Sequence, residues 1–249
     1  MNVIVPWQFL CYNVPRKQIK QLKQGYTMTK IKTQLSILYE RYKHLLLLLY
    51  FPVYLMWFAY VEENVTTHFH VIHVTLDDYI PFCEYFVIPY FLWFGYVAWA
   101  FLYFGFHDRT DFYKLCAFLF TGMTVFLLIS TFYPNGHYLR PQYFTHHNFC
   151  TMLVDQLYAT DTATNLFPSI HVYNSLGVHL AVCESKEFKN HKTVRLLSGV
   201  LMVSIVLATM FLKQHSFFDV ITAFAMAGIL YALVYVRHPE RRTSVARHT

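Results

Sequence analysis

The sequence predicts an all-α, polytopic membrane protein, a bundle of six transmembrane helices with both termini on the cytoplasmic side. Three observations carry that expectation. Of 249 residues, 56% are hydrophobic and only 14% are charged, against about 25% charged in an ordinary soluble domain. Six apolar segments approach the ~20 residues that a helix needs to cross a bilayer. When those segments are threaded through a membrane, nearly all Lys and Arg residues fall on one side of it.

The six segments are 45–61, 86–106, 115–132, 170–183, 196–212 and 220–236. The fourth is the weakest, being short and carrying His171, Asn174, Ser175 and His179. Charge supports it independently, because cytoplasmic connections are enriched in Lys and Arg. With six spans, all of the 20 Lys and Arg lie on the cytoplasmic side except Arg140 and Lys213. Without the fourth span, Lys186, Lys189, Lys192 and Arg195 would change sides.

The chain thus divides into a basic N-terminal segment (1–44), a membrane domain (45–236) and a basic cytoplasmic tail (237–249). Ile31, Leu35, Leu38 and Tyr42 recur at helical spacing, so the first segment reads as amphipathic. An in-plane helix drawn to anionic lipid and a solvated basic arm that sets orientation both fit. The net charge of +6 sits largely on these flanks and calls for no nucleic-acid partner.

The five cysteines have no CxxC and no metal-ligand spacing. Cys116 and Cys183 read as small core residues. Cys83 and Cys150 fall in loops on the same side, which leaves a disulfide open.

Three polar clusters stand at the outer ends of the spans. After the third span comes Tyr133-Pro-Asn-Gly-His-Tyr-Leu-Arg140-Pro141; at the start of the fourth, Asn165-Leu-Phe-Pro168-Ser169-Ile170-His171; between the fifth and sixth, Thr209-Met-Phe-Leu-Lys213-Gln214-His215-Ser-Phe-Phe-Asp219. Both basic residues on the outer side belong to these clusters. Ionisable groups at such depth tend to mark a working site or a paired contact. His215 and Asp219 are four apart, so on a helix they share a face, and the carboxylate can accept the Nδ1 proton. That leaves Nε2 bare, as a nucleophile or base requires. His171 follows Pro168-Ser169 at a helix start, where free N–H groups favour an anion. Arg140 offers a planar fork suited to phosphate oxygens.

In order and spacing these clusters resemble the three motifs of the phosphatidic acid phosphatase type 2 / haloperoxidase superfamily: Arg-Pro, Pro-Ser-x-His and His-x-x-x-Asp. Within it they look most like the branch of inositol phosphorylceramide and sphingomyelin synthases. The resemblance covers 133–219 and makes 45–236 a membrane domain of that kind. It implies an integral membrane lipid phosphatase or phosphotransferase acting through a phosphohistidine on the non-cytoplasmic face, with the plasma membrane as the expected location. His215 would be the nucleophile, Asp219 its orienting carboxylate and His171 the proton donor to the leaving oxygen. Arg140 and Ser169 would hold the phosphate of a lipid phosphate or phospholipid. No cofactor and no metal is required.

Two positions depart from the phosphatase pattern. A Lys is usual seven residues before the motif-one Arg, where this chain has Tyr133. A Ser-Arg pair is usual ahead of the third motif's His, where this chain has Ala208-Thr209. Lys213 stands as a replacement for one lost cation. Fewer cations handicap a phosphomonoester dianion more than a diester monoanion, which points to head-group transfer between lipids. A third reading, a lipid-phosphate-binding relative or transporter without catalysis, is opposed by the presence of both histidines and the aspartate.

The remaining polar residues read blandly. His68, His70, His73, Asp77 and Asp78 crowd the first outer loop; their composition is that of wet polar residues capping the site as much as of metal ligands. His146-His147 reads likewise. His179 reads as an interhelical hydrogen-bond partner, and Asn174 and Ser175 as polar glue.

Overall fold

Helical backbone dominates the computed structural model of the chain, which describes residues 32–64 and 68–236. Two compact units divide it, Met1–Leu46 and Leu47–Thr249. In the first, the described residues from Lys32 onward are helical and leave Leu35, Ile37 and Leu38 exposed. The rest of the expected amphipathic segment, up to Ile31, and the basic tail 237–249 lie outside the described residues.

Among the described residues, five helical stretches are long and apolar enough to cross a membrane: Lys32–Asn64, Glu84–His107, Arg109–Phe132, Lys192–Phe211 and Phe217–Val236. The second unit contains α1 (Tyr50–Asn64), the short α2 (Thr75–Tyr79), α3 (Val87–His107), α4 (Arg109–Phe132), α5 (Phe149–Thr160), α6 (Ile170–Glu184), α7 (Lys192–Phe211) and α8 (Phe217–Tyr231). Large apolar side chains such as Leu92, Leu102, Leu196, Leu197, Val203 and Ile229 face outward. An exposed apolar surface on this scale is that of a membrane bundle.

The expected fourth span corresponds to α6, whose 15 residues reach only ~22 Å at 1.5 Å per residue. It is the central helix, packed against α3, α4, α7 and α8. Val172, Tyr173, Ser175, Val178 and Val182 are fully buried. Its hydropathy signal is weak because the helix is short and carries polar residues, Asn174 and Ser175 among them, that the surrounding helices cover.

Two glycines permit that packing. A Cβ on Gly122 of α4 would lie 2.1 Å from the Tyr173 ring, and one on Gly177 of α6 would lie 2.5 Å from Leu119. The Tyr173 ring stacks on Phe118 with centroids 4.9 Å apart, and its hydroxyl donates to the Phe118 carbonyl at 2.7 Å.

The sharp joint between α3 and α4 consists of Asp108 alone, whose Oδ1 accepts from the N–H groups of Thr110 and Asp111. α4 therefore starts at Arg109, ahead of the apolar run expected from 115, because the cap and not hydropathy sets the helix start. At the end of the bundle opposite that joint, α5 fills a stretch that reads as loop in sequence. Asn148 caps it by accepting from Thr151 N, and Val154 and Leu157 pack with Val87, Tyr90, Ala208 and Leu212. The thiols of Cys83, Cys116, Cys150 and Cys183 are all free, so the disulfide left open for Cys83 and Cys150 is not formed.

Candidate functional site

The loops at this end of the bundle are laced together by backbone before any site side chain is placed. β1 (His70–Val71) pairs in parallel with β2 (Asn135–Gly136), so the loop between α1 and α3 is zipped to the first polar cluster. Asn135 is fully buried and ties that cluster to the second one. Its Oδ1 accepts from Leu166 N and Phe167 N, both at 2.9 Å, and its carbonyl accepts from Asn165 N. Ser169 N donates in turn to the Asp219 carbonyl, joining the second cluster to the third. Asn165 and Lys213 both adopt left-handed backbone, at φ 55° and 52°, a conformation that costs a non-glycine residue free energy and is found where surroundings enforce it.

That framework brings His171 and His215 together, with ring centroids 5.7 Å apart. His171 occupies the first turn of α6, behind Ser169, the N-cap whose Oγ accepts from Val172 N at 3.4 Å. Its ring packs against Tyr90 and Trp93 of α3, with centroids at 4.7 and 4.3 Å. His215 is 3% exposed and Asp219 fully buried.

Their relationship differs from the one expected. His215 lies in the turn before α8 and not on the helix, so the shared-face argument does not apply. Nδ1 stands 3.5 Å from Asp219 Oδ2, beyond good hydrogen-bond length. That oxygen accepts instead from Ser216 N at 2.9 Å, half of a capping box at the start of α8. Burial first, and the Arg140 charge next, push the His215 imidazole down to about 3. At neutral pH it is the uncharged base that nucleophilic attack needs.

Arg140 is more tightly engaged than a free phosphate clamp would be. Its guanidinium donates to the carbonyls of Asp161 and Thr162 at 2.7 and 2.8 Å and to Gln214 Oε1, and lies 4.5 Å over the Tyr158 ring. Its Nε has no partner. Lys213 directs its ammonium to the Asp77 carbonyl at 2.7 Å; burial lowers its pKa, opposed by Asp77 and Asp78.

Several neighbours were not singled out in sequence. His137 is buried between the first and third clusters. Its Nε2 donates to the Gln214 carbonyl at 3.0 Å, while Leu139 N donates to Nδ1. A carbonyl only accepts and an amide only donates, so the two bonds fix the Nε2–H tautomer. Burial pushes this imidazole down to about 4. Asp161 lies beside Arg140, its carboxyl raised by burial to about 6 with Arg140 opposing. Asp77 is 2% exposed, so it is not the wet loop residue that its surroundings in sequence imply. His73 pairs with Asp78 at 2.8 Å, and His70 stacks on Tyr133. His179 donates or accepts across to Ser198 Oγ at 3.1 Å, an interhelical bond as expected.

Buried polar atoms without partners are uncommon in folded proteins and call for an explanation. Among the described residues, Arg140 Nε, Asn165 Oδ1, His171 Nδ1, Gln214 Nε2, His215 Nδ1 and Asp219 Oδ1 in the three polar clusters are such atoms, as are Trp93 Nε1, Ser130 Oγ, Asn174 Oδ1 and Tyr235 Oη elsewhere in the bundle.

Residues 139–243 match the PAP2 superfamily. A PAP2-superfamily domain is therefore present in this part of the chain, and it contains Arg140, Ser169, His171, Lys213, His215 and Asp219. Its general character is that of a membrane phosphatase or phosphotransferase. No curated protein and no solved structure matches the chain.

Proposed function

We propose that this protein cleaves or transfers the phosphate group of a membrane lipid through a phosphohistidine formed on His215. The observation that carries the reading is the convergence of two imidazoles, His215 buried and His171 partly so, with ring centroids 5.7 Å apart, with the unpartnered donors and acceptors of Arg140, Gln214 and Asp219. His215, neutral through burial, attacks phosphorus; Asp219 lies behind it at Nδ1 and stabilises the positive charge that develops on the ring. His171 donates a proton to the leaving oxygen. Arg140 Nε and the N-terminus of α6, capped by Ser169, face the phosphate oxygens. No metal or cofactor enters this scheme.

Six spans, with α6 as the short fourth, put the three clusters on the non-cytoplasmic side. Arg109, Lys114, Lys186, Lys189, Lys192 and Arg195 then lie at the cytoplasmic end. Plasma membrane is the location this arrangement suits.

Head-group transfer from a phosphodiester lipid is the more specific form, and the cation count favours it. Tyr133, where the phosphatase pattern has Lys, is stacked on His70. Thr209, where the pattern has Arg, is fully buried, and its carbonyl accepts from the N–H of Gln214 and His215. The ammonium of Lys213 is turned toward Asp77. A site with Arg140 as its main cation suits a monoanion over a dianion, in line with the resemblance to inositol phosphorylceramide and sphingomyelin synthases.

Purified protein incubated with a mixed lipid panel, with products read by mass, tests both levels. Free phosphate marks a hydrolase, and a new head-grouped lipid marks a transferase. Faster turnover of phosphatidic acid than of every diester removes the diester reading. Full activity in His215→Ala removes the mechanism.

A further inference from the structure

The first outer loop lies outside residues 139–243, yet one of its residues grips the turn that carries His215 from both sides. Asp77 Oδ1 accepts from Phe217 N at 2.7 Å, and Oδ2 accepts from Ser216 Oγ at 2.6 Å. Oδ2 also accepts from Val74 N at 2.9 Å, which closes α2 on itself. The main-chain carbonyl of the same residue accepts from Lys213 Nζ. Thus residue 213, on one side of His215, and residues 216 and 217, on the other, all end on Asp77. Backbone bonds to the Thr209 carbonyl hold one side of the turn, and Lys213 sits in left-handed backbone, a conformation that surrounding contacts must enforce.

We propose that Asp77 is a positioning residue for His215: it sets where the imidazole stands relative to the bound phosphate, without touching substrate. The inference rests on the reading of His215 as nucleophile. A carboxylate is required because each of its oxygens accepts from a backbone N–H, Phe217 at Oδ1 and Val74 at Oδ2; an amide in its place would turn an N–H toward one of these two. Displacement of a reacting group by as little as an ångström costs about 100-fold in rate, so a lost clamp appears in kcat while substrate binding persists.

The test uses full-length protein with Asp77→Asn, Ser216→Ala, the double variant and Phe217→Pro. Phe217 is the first residue of α8 and Ser216 is extended, at φ −69° and ψ 153°. Proline is accepted at such a position, so Phe217→Pro deletes the N–H that Asp77 holds and keeps the helix. We expect Asp77→Asn and Phe217→Pro to lower kcat about 10- to 100-fold with KM within about threefold. The double variant should lose less than the product of the two single losses, since the changes share the Ser216–Asp77 contact and Ser216→Ala adds only the loss of its cap on Phe218 N. Hydrogen exchange of residues 213–219 should rise in Asp77→Asn while α4 and α7 stay protected. Unchanged kcat in Asp77→Asn and Phe217→Pro, multiplicative losses in the double variant, or unchanged exchange at 213–219 each overturn the proposal. If Asp77→Asn does not fold, Phe217→Pro and Ser216→Ala decide it alone. Raised exchange at 213–219, with His215→Ala as active as the parent, would leave the clamp standing and overturn the reading of His215 instead.

Discussion

His171 comes from the first turn of α6 and His215 from the turn before α8, and their rings meet with centroids 5.7 Å apart and planes at 57°. On the proposed reading one phosphorus is bound between them, with His215 as nucleophile and His171 as proton donor. These roles define unequal consequences for the two residues. His215→Ala is expected to lower kcat/KM by at least about 1,000-fold on every substrate. His171→Ala should cost about 100- to 10,000-fold on a lipid, whose alkoxide needs a proton, and far less on p-nitrophenyl phosphate, whose leaving group does not. Equal losses on both substrates would remove His171 from the donor role.

Arg140 is bound by a planar set of acceptors, the carbonyls of Asp161 and Thr162 and the Gln214 side chain. A lysine ammonium is a point charge and does not reach them all. Arg140→Lys is therefore expected to lose activity about 100-fold or more and to lower thermal stability modestly, because the part-buried Asp161 carbonyl loses a donor while the exposed Thr162 carbonyl can turn to water. Melting in detergent beside kcat/KM separates the two losses; a variant with full stability and no activity would show that the carbonyl contacts carry nothing.

The span pattern was legible because bilayer-facing helices must be apolar whatever they do. The three clusters were legible because residues such as Arg140, His171, His215 and Asp219 are out of place at the ends of apolar segments. What sequence left unread is the wiring. Asp77 looks like a wet loop acid, since nothing local announces that Ser216 and Phe217 will fold onto it. Asn135 looks like half of an Asn-Gly turn, although its side chain serves Leu166 and Phe167. The His215–Asp219 pair was read with helical spacing, and its geometry differs because Ser216 starts the helix one residue after the histidine. Contacts of this kind depend on which loops meet, which periodicity does not encode.

Asn135→Ala tests that wiring. It leaves Leu166 N and Phe167 N without their acceptor in a buried place, at an expected cost of about 2–4 kcal/mol. Hydrogen exchange should speed first at residues 166 and 167 and only later in α6. Uniform exchange across the bundle would mean that Asn135 supports the fold generally and not this junction.

The α4–α6 contact makes a steric prediction. Gly122→Ala places a methyl within 2.1 Å of a Tyr173 ring carbon, where something must move, so we expect about 1–3 kcal/mol of destabilisation. Tyr173→Leu opens the space, and Gly122→Ala in that background should cost clearly less, a coupling that a melting cycle in detergent reads directly. Additive losses would show that the ring already yields without cost.

Acid lability follows from His137. Burial holds its imidazole near 4 in the folded protein, whereas in the unfolded chain it titrates near ~6.5. A depressed histidine pKa means that the unfolded chain binds the proton first. The folded state is therefore fully favoured above pH ~6.5 and loses that advantage as pH falls toward 4. One such group contributes about 1.4 kcal/mol per pH unit over that window. His137→Gln keeps a donor for the Gln214 carbonyl and an acceptor for Leu139 N but does not titrate. Its melting temperature should fall less steeply than the parent's between pH 6 and 4.5, roughly, by the equivalent of one proton. His215, pushed down to about 3, keeps a second proton's worth of acid sensitivity in the variant, so a flat profile in His137→Gln would contradict the burial of His215. Parallel profiles in parent and variant would show that His137 is already protonated, or already exposed, in the folded protein.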